Sequence, residues 1–131
     1  MKFEIRQTSL DQATRAQQEA LLVLWPKASH ATGMLADWIQ KAQRQGDFKD
    51  TAGSVLQSYG MAGIKARHLV VAACDKGDAK DIRKAVRAAC AVLKSAPIQS
   101  LHIQWAGDEL SEQAIKALLS ELADASYVFT S

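Results

Sequence analysis

The sequence predicts an α/β fold, a mixed and mostly buried sheet of about six strands flanked by three helices. Three observations predict it. Two uninterrupted apolar runs, "ALLVLW" and "LVVAAC", have the length of strands covered on both faces. Three other segments switch to an apolar period of three to four, which is helical. Pro26, Gly46, the "GMAG" turn and Pro97 fall at the ends of these segments, which punctuates the chain into short elements.

Taken in order, Phe3 and Ile5 alternate with Lys2, Glu4 and Arg6, as in a strand with one covered face. A polar loop follows. Leu21 to Trp25 are all apolar and Pro26 stops the run, which predicts a central strand. From Ala31 to Gln45 the residues Leu35, Trp38, Ile39 and Ala42 follow helical spacing, and Gly46 stands where a helix ends in a left-handed residue. The stretch "QRQGDFKDTAGSV", Gln43 to Val55, therefore reads as a helix cap and connector in which Gly46 and Gly53 supply positive φ or close backbone approach.

A short strand at Val55 to Tyr59 and a turn at "GMAG" lead into "ARHLVVAAC", a second doubly buried strand. A helix from Asp78 to about Lys94 turns Ile82, Val86, Ala89 and Leu93 to the core, and Pro97 limits it. In "IQSLHIQW", Leu101, Ile103 and Trp105 alternate with His102 and Gln104, as in a half-covered or edge strand. Ser111 is placed to cap a third helix, with Leu110 and Ile115 as a hydrophobic staple and Leu118, Leu119 and Leu122 as its buried stripe. "SYVFTS" reads as a last short strand. The order is β-β-α-β-β-α-β-α-β, and the strands flanking the Asp78 helix are expected to pair in parallel through a right-handed crossover.

A chain of 131 residues fits one domain, residues 1–131, large enough to bury its core without disulfide staples. It contains no internal repeat, low-complexity tract or linker. Sixteen basic against fourteen acidic residues leave a formal charge of +2, too small to name nucleic acid as a partner from bulk charge. "MKFEIRQ" lacks the apolar run and cleavage site of a signal peptide, and no apolar run approaches the ~18 residues of a membrane span, so a cytoplasmic location without a membrane partner is expected. Cys74 and Cys90 fall at apolar positions and read as two reduced core thiols. The end at Ser131, just after an apolar segment, reads as a cut and not as a natural tail.

Chemistry is sparse. His30, His68 and His102 do not pair at ligand spacing with one another or with a second donor, and the cysteines form no CxxC, so no metal ligands are assigned. No GxSxG occurs, and "AGS" at Ala52 to Ser54 lacks its second glycine, so no catalytic residues are assigned. In "CDKGD" a glycine precedes the Asp78 helix, but GxGxxG and GK[ST] are missing and two aspartates would repel an anion. The most distinctive surface is a stripe of Lys80, Arg83, Lys84, Arg87 and Lys94 on the helix side opposite its apolar face. It reads either as a solvated face or as a contact for nucleic acid. No aromatic residue interleaves it, which argues against stacking on single strands. Trp25, Trp38 and Trp105 all read as core.

With these elements in order, the chain resembles the N-terminal domain of the cytosolic leucyl aminopeptidase family. The resemblance rests on the opening "MKFEIRQ", on "QGDFKDTAGSVL", on "GIKARHLVVAACDKGD" and on "IRKAVRAACAVLK", and extends over essentially the whole chain. It implies a three-layer, macro-domain-like module without catalytic apparatus. For the parent protein it implies removal of N-terminal residues, leucine favoured, by two divalent metals (zinc, manganese or magnesium). Their lysine, aspartate and glutamate ligands belong to a separate C-terminal domain, which also forms most of a homo-hexamer core. That domain is the partner expected in the same polypeptide; none of its motifs occurs here. The chain departs from the family where it reads "AACDK" in place of a glycine-richer loop and has Asp50 where glycine is common, which weakens nucleotide binding at the Ala73 to Gly77 loop. The alternatives are a nucleic-acid-binding module working through the basic helix, some bacterial aminopeptidases of this type also binding DNA, or a stand-alone macro-like nucleotide-binding domain.

Overall fold

Strand β2 organises the molecule because its apolar residues alternate between two cores. The computed structural model describes residues 2–6, 18–61, 63–94, 100–107 and 109–130, with side chains between 19 and 123. Its elements are β1 (Lys2–Arg6), β2 (Gln18–Trp25), α1 (Met34–Arg44), β3 (Val55–Tyr59), β4 (Ala66–Ala73), α2 (Ala79–Leu93), β5 (Ser100–Trp105) and α3 (Glu112–Thr130). One sheet runs in the order β1-β5-β2-β4-β3. Its first four strands are parallel, and β3 closes the far edge antiparallel to β4.

On one face of the sheet Ala20, Leu22, Leu24, Val70, Ala72, Leu101 and Ile103 pack under α2 and α3. On the other, Leu21, Val23, Trp25, Leu69, Val71 and Ala73 pack under Leu35, Ala36 and Ile39 of α1. Each fully buried Leu, Ile or Val contributes roughly 1.5–3 kcal/mol relative to exposure, so both faces of β2 need their cover. The three layers and the α/β class agree with the sequence.

Several details differ. "SYVFTS" forms no sixth strand, because α3 continues to Thr130. No glycine or proline follows Gly107 to stop it, and extending a formed helix needs no new nucleus. Strands β4 and β5 are parallel but not neighbours; β2 lies between them, using both of its edges. Strand β5 is not an edge either, because β1 pairs outside it. Its alternation reflects polar residues that are satisfied inside, such as buried Gln104, whose Nε2 donates to the Trp105 carbonyl at 3.3 Å. Helix α1 begins at Met34, three residues later than expected, after Gly33. Ser111 caps α3 as read, its Oγ accepting from the Ala114 N–H at 3.1 Å. Ile115 and Leu119 are 39% and 52% exposed, however, and the buried stripe is Ala114, Ala117, Leu118, Glu121 and Leu122. The polar loop at 7–17 and Pro97 lie outside the described residues.

The "QRQGDFKDTAGSV" segment is the connector its sequence promises. Gly46 has φ +82°. Its N–H donates to Gln43 O at 3.2 Å while the Asp47 N–H donates to Ala42 O at 2.9 Å, which closes α1 with the double bond of a Schellman turn. Phe48 then inserts into the α1 core, 1% exposed. Ser54 Oγ accepts from the Lys49 N–H at 3.1 Å and Gln43 Nε2 donates to Asp50 at 2.7 Å, so the polar residues of the segment hold its own backbone and α1 in place.

Candidate functional site

In parallel α/β sheets ligands bind beyond the carboxyl ends of the strands, where successive connections leave in opposite directions. Here β2 is that position: the chain leaves it toward β4 and later returns on its other side as β5. The segments that follow the three strands are tied together. The Cys74 N–H donates to Trp25 O at 3.0 Å, Lys27 N–H to Asp75 O at 2.8 Å, and Ala106 N–H to Leu24 O at 3.0 Å. The Ser29 hydroxyl also donates to Ala106 O.

The loop from Ala73 to Gly77 carries the residues most like a phosphate cradle. Asp75 sits at φ +46° and Gly77 at φ +77°, and α2 starts directly afterwards. Several of its donors are already taken, the Gly77 N–H by Cys74 O at 2.6 Å among them. Asp78 Oδ1 accepts from the Asp81 N–H at 3.0 Å, and Asp81 Oδ2 accepts from the Lys76 N–H at 3.2 Å. Two carboxylates thus occupy the helix N-terminus, where an anion would bind. Burial, and then the neighbouring Asp78, raise the Asp81 pKa above its usual value.

Beside this loop stands Trp105, at the end of β5. A Cβ placed on Gly77 would lie 2.7 Å from its Cη2, and one on Gly107 would lie 2.6 Å from Cζ2 and 2.9 Å from Nε1. The indole therefore fills the gap between the β4–α2 and β5–α3 loops. Its Nε1 is buried and has no hydrogen-bond partner among the described residues. Leaving a buried donor unpaired costs about 1–3 kcal/mol, so shape and apolar burial hold the ring there. The sequence reading placed Trp105 in the core but did not find this arrangement; glycines at 77 and 107 were its only trace.

The basic stripe on α2 is real as a face but not uniform. Lys80, Arg83, Lys84 and Lys94 are exposed. Arg87 instead reaches α3, its Nη2 2.8 Å from Glu121 Oε1 and its Nε–H donating to both carboxylate oxygens at 3.1 Å. No sequence signal marked Glu121, since its partner lies in another helix.

The remaining titratable groups do not converge. Among the described residues no three His, Cys, Asp or Glu side chains are grouped to hold a metal ion. His68 meets Tyr59 edge to face, ring centroids 4.9 Å apart, and its buried Nδ1 has no hydrogen-bond partner among the described residues. Both cysteines are free thiols. Burial is the main reason both pKa values rise: Cys74 also faces Asp81 and Asp75, and Cys90, pushed up to about 11, also faces Glu121. Such thiols are poor nucleophiles at neutral pH. Among the described residues no helix is long and apolar enough to cross a membrane.

Comparison with known proteins follows the same lines. The N-terminal domain model of the cytosol aminopeptidase family matches residues 16–131. A probable cytosol aminopeptidase of Acidovorax sp. (strain JS42) is 30% identical over 131 residues, covering 99% of this chain and 26% of the relative. Another, from Albidiferax ferrireducens, is 30% identical over 132 residues, covering 99% and 27%. The chain thus spans about a quarter of the length of the curated relatives it matches. Among solved structures, the macrodomain of Mycobacterium tuberculosis DarG superposes with a TM-score of 0.60 at 17% identity, covering 92% of this chain and 90% of its own. At that identity the likeness concerns the fold, and it agrees with the three-layer architecture. Sequence, topology and relatives converge: the chain belongs to the cytosol aminopeptidase family, as its N-terminal domain.

Proposed function

We propose that this chain is the non-catalytic, structural and assembly domain of a cytoplasmic metallo-aminopeptidase. The parent would release N-terminal residues, leucine favoured, using a C-terminal domain that carries two divalent metals and builds a homo-hexamer. The observation that carries the reading is the family match, which covers nearly the whole chain yet only about a quarter of the relatives' length. The donors described here do not fit a two-metal centre, since no three stand together. No step of peptide hydrolysis is therefore derived from this chain. The test is turnover of leucyl-p-nitroanilide with added manganese. The pure chain is expected to give none; metal-dependent hydrolysis by it would overturn the reading.

A second reading, contact with nucleic acid, is favoured by the exposure of Lys80, Arg83, Lys84 and Lys94 on one helix. It calls for steeply salt-dependent duplex binding that Arg83→Glu with Lys84→Glu weakens. Absence of a gel shift at low salt would remove it. A nucleotide-binding role is opposed by Trp105 and by the carboxylates of Asp78 and Asp81. Calorimetry with ADP-ribose is expected to show no binding.

A further inference from the structure

We infer that Trp105 is a plug: its indole occupies, from within the chain, a slot shaped for a flat apolar bicyclic ring. Three observations meet here. The slot lies beyond the carboxyl ends of the parallel strands at the switch position, where this architecture otherwise takes ligands. Glycines from two different loops stand against the ring, and a Cβ on either would collide with it, at 2.7 Å from Cη2 for Gly77 and 2.6 Å from Cζ2 for Gly107. The third is chemical. The ring's one polar atom, Nε1, is buried and meets no acceptor among the described residues, so none of these recognises nitrogen in the slot.

The chemical class follows from that last point. A donor that has lost water and gained no partner opposes binding, whereas an apolar group of the same shape does not. The slot therefore takes a hydrocarbon ring in preference to indole itself once the plug is removed. The inference does not depend on peptidase activity in the parent, because it is read on this chain alone.

The experiment uses Trp105→Ala with indole and indene as probes, followed by thermal unfolding and calorimetry. The variant is expected to unfold several degrees below the wild type, from the loss of a large, partly buried side chain packed against the core, on the order of 5 °C. Either probe raises its midpoint saturably, with one ring bound per chain, and indene binds roughly tenfold more tightly than indole. The wild type does not respond, its slot being full. Adding Gly107→Ala to Trp105→Ala narrows the slot and abolishes the response. If Trp105→Ala is unfolded alone, recovery of its circular dichroism with indene becomes the readout. No saturable response in the variant, no recovery of an unfolded variant, or an equal response in the wild type would overturn the plug.

Discussion

Arg83 and Arg87 lie one turn apart on α2, on the same basic stripe, and differ in what stands opposite. Arg83 is exposed. Arg87 keeps 69% of its side chain exposed yet carries its guanidinium to Glu121, a side chain only 10% exposed on α3. One arginine is a solvated charge; the other staples two helices and satisfies a carboxylate that the core would otherwise strand. Regular spacing along one helix gives both residues the same address, and only the neighbouring helix tells them apart.

The largest effect that tests this contrast comes from Arg87→Glu, which places two carboxylates together and leaves Glu121 buried without its cation. A loss of about 3 kcal/mol in urea unfolding is expected; a loss as small as that of Arg83→Glu would break the comparison. A double-mutant cycle sharpens it. Arg87→Ala and Glu121→Ala are expected to couple by about 1–2 kcal/mol, whereas Arg83→Ala and Glu121→Ala add independently.

Cys90 offers a titration readout of the same contact. Burial and then Glu121 raise its pKa from 9.0 to about 11. The folded chain thus holds the thiol proton more tightly than the unfolded one. The associated stability is fully present below pH 9 and is lost as pH rises from there through about 11. Glu121→Gln is expected to move the alkylation midpoint of Cys90 below that of the wild type while leaving it above 9, because burial is the larger cause; Arg83→Ala is expected not to move it. The smallest effect is Arg83→Ala itself, expected within about 0.5 kcal/mol of wild type in the same urea titration.

How much of this was legible in the sequence follows the range over which each signal acts. The Ala79–Leu93 helix was readable because Ile82, Val86, Ala89 and Leu93 repeat locally, and all four are buried. The end of α1 was readable because the left-handed turn at Gly46 needs a glycine. Local propensity misled at Tyr127 to Phe129, where aromatic and β-branched residues look like strand but a running helix carries on. Position in the sheet was not readable: the alternation of Leu101, Ile103 and Trp105 is the same whether β5 lies at an edge or between two partners. The candidate site was the least legible part, because its defining contacts join Gly77 to Trp105 and Arg87 to Glu121, pairs remote along the chain.

Among the described residues, strand β1 pairs with β5 alone, with Lys2 beside Ser100 and Arg6 beside Gln104. During synthesis, then, β1 leaves the ribosome well before β5 and has nowhere to sit until most of the domain has followed it. It must wait as an unseated ribbon while β2 and β4 assemble, and closing so long a loop is slow. A nascent chain halted before Ser100 would present β2 with one bare edge, an open invitation for a chaperone or for the same edge of another nascent copy.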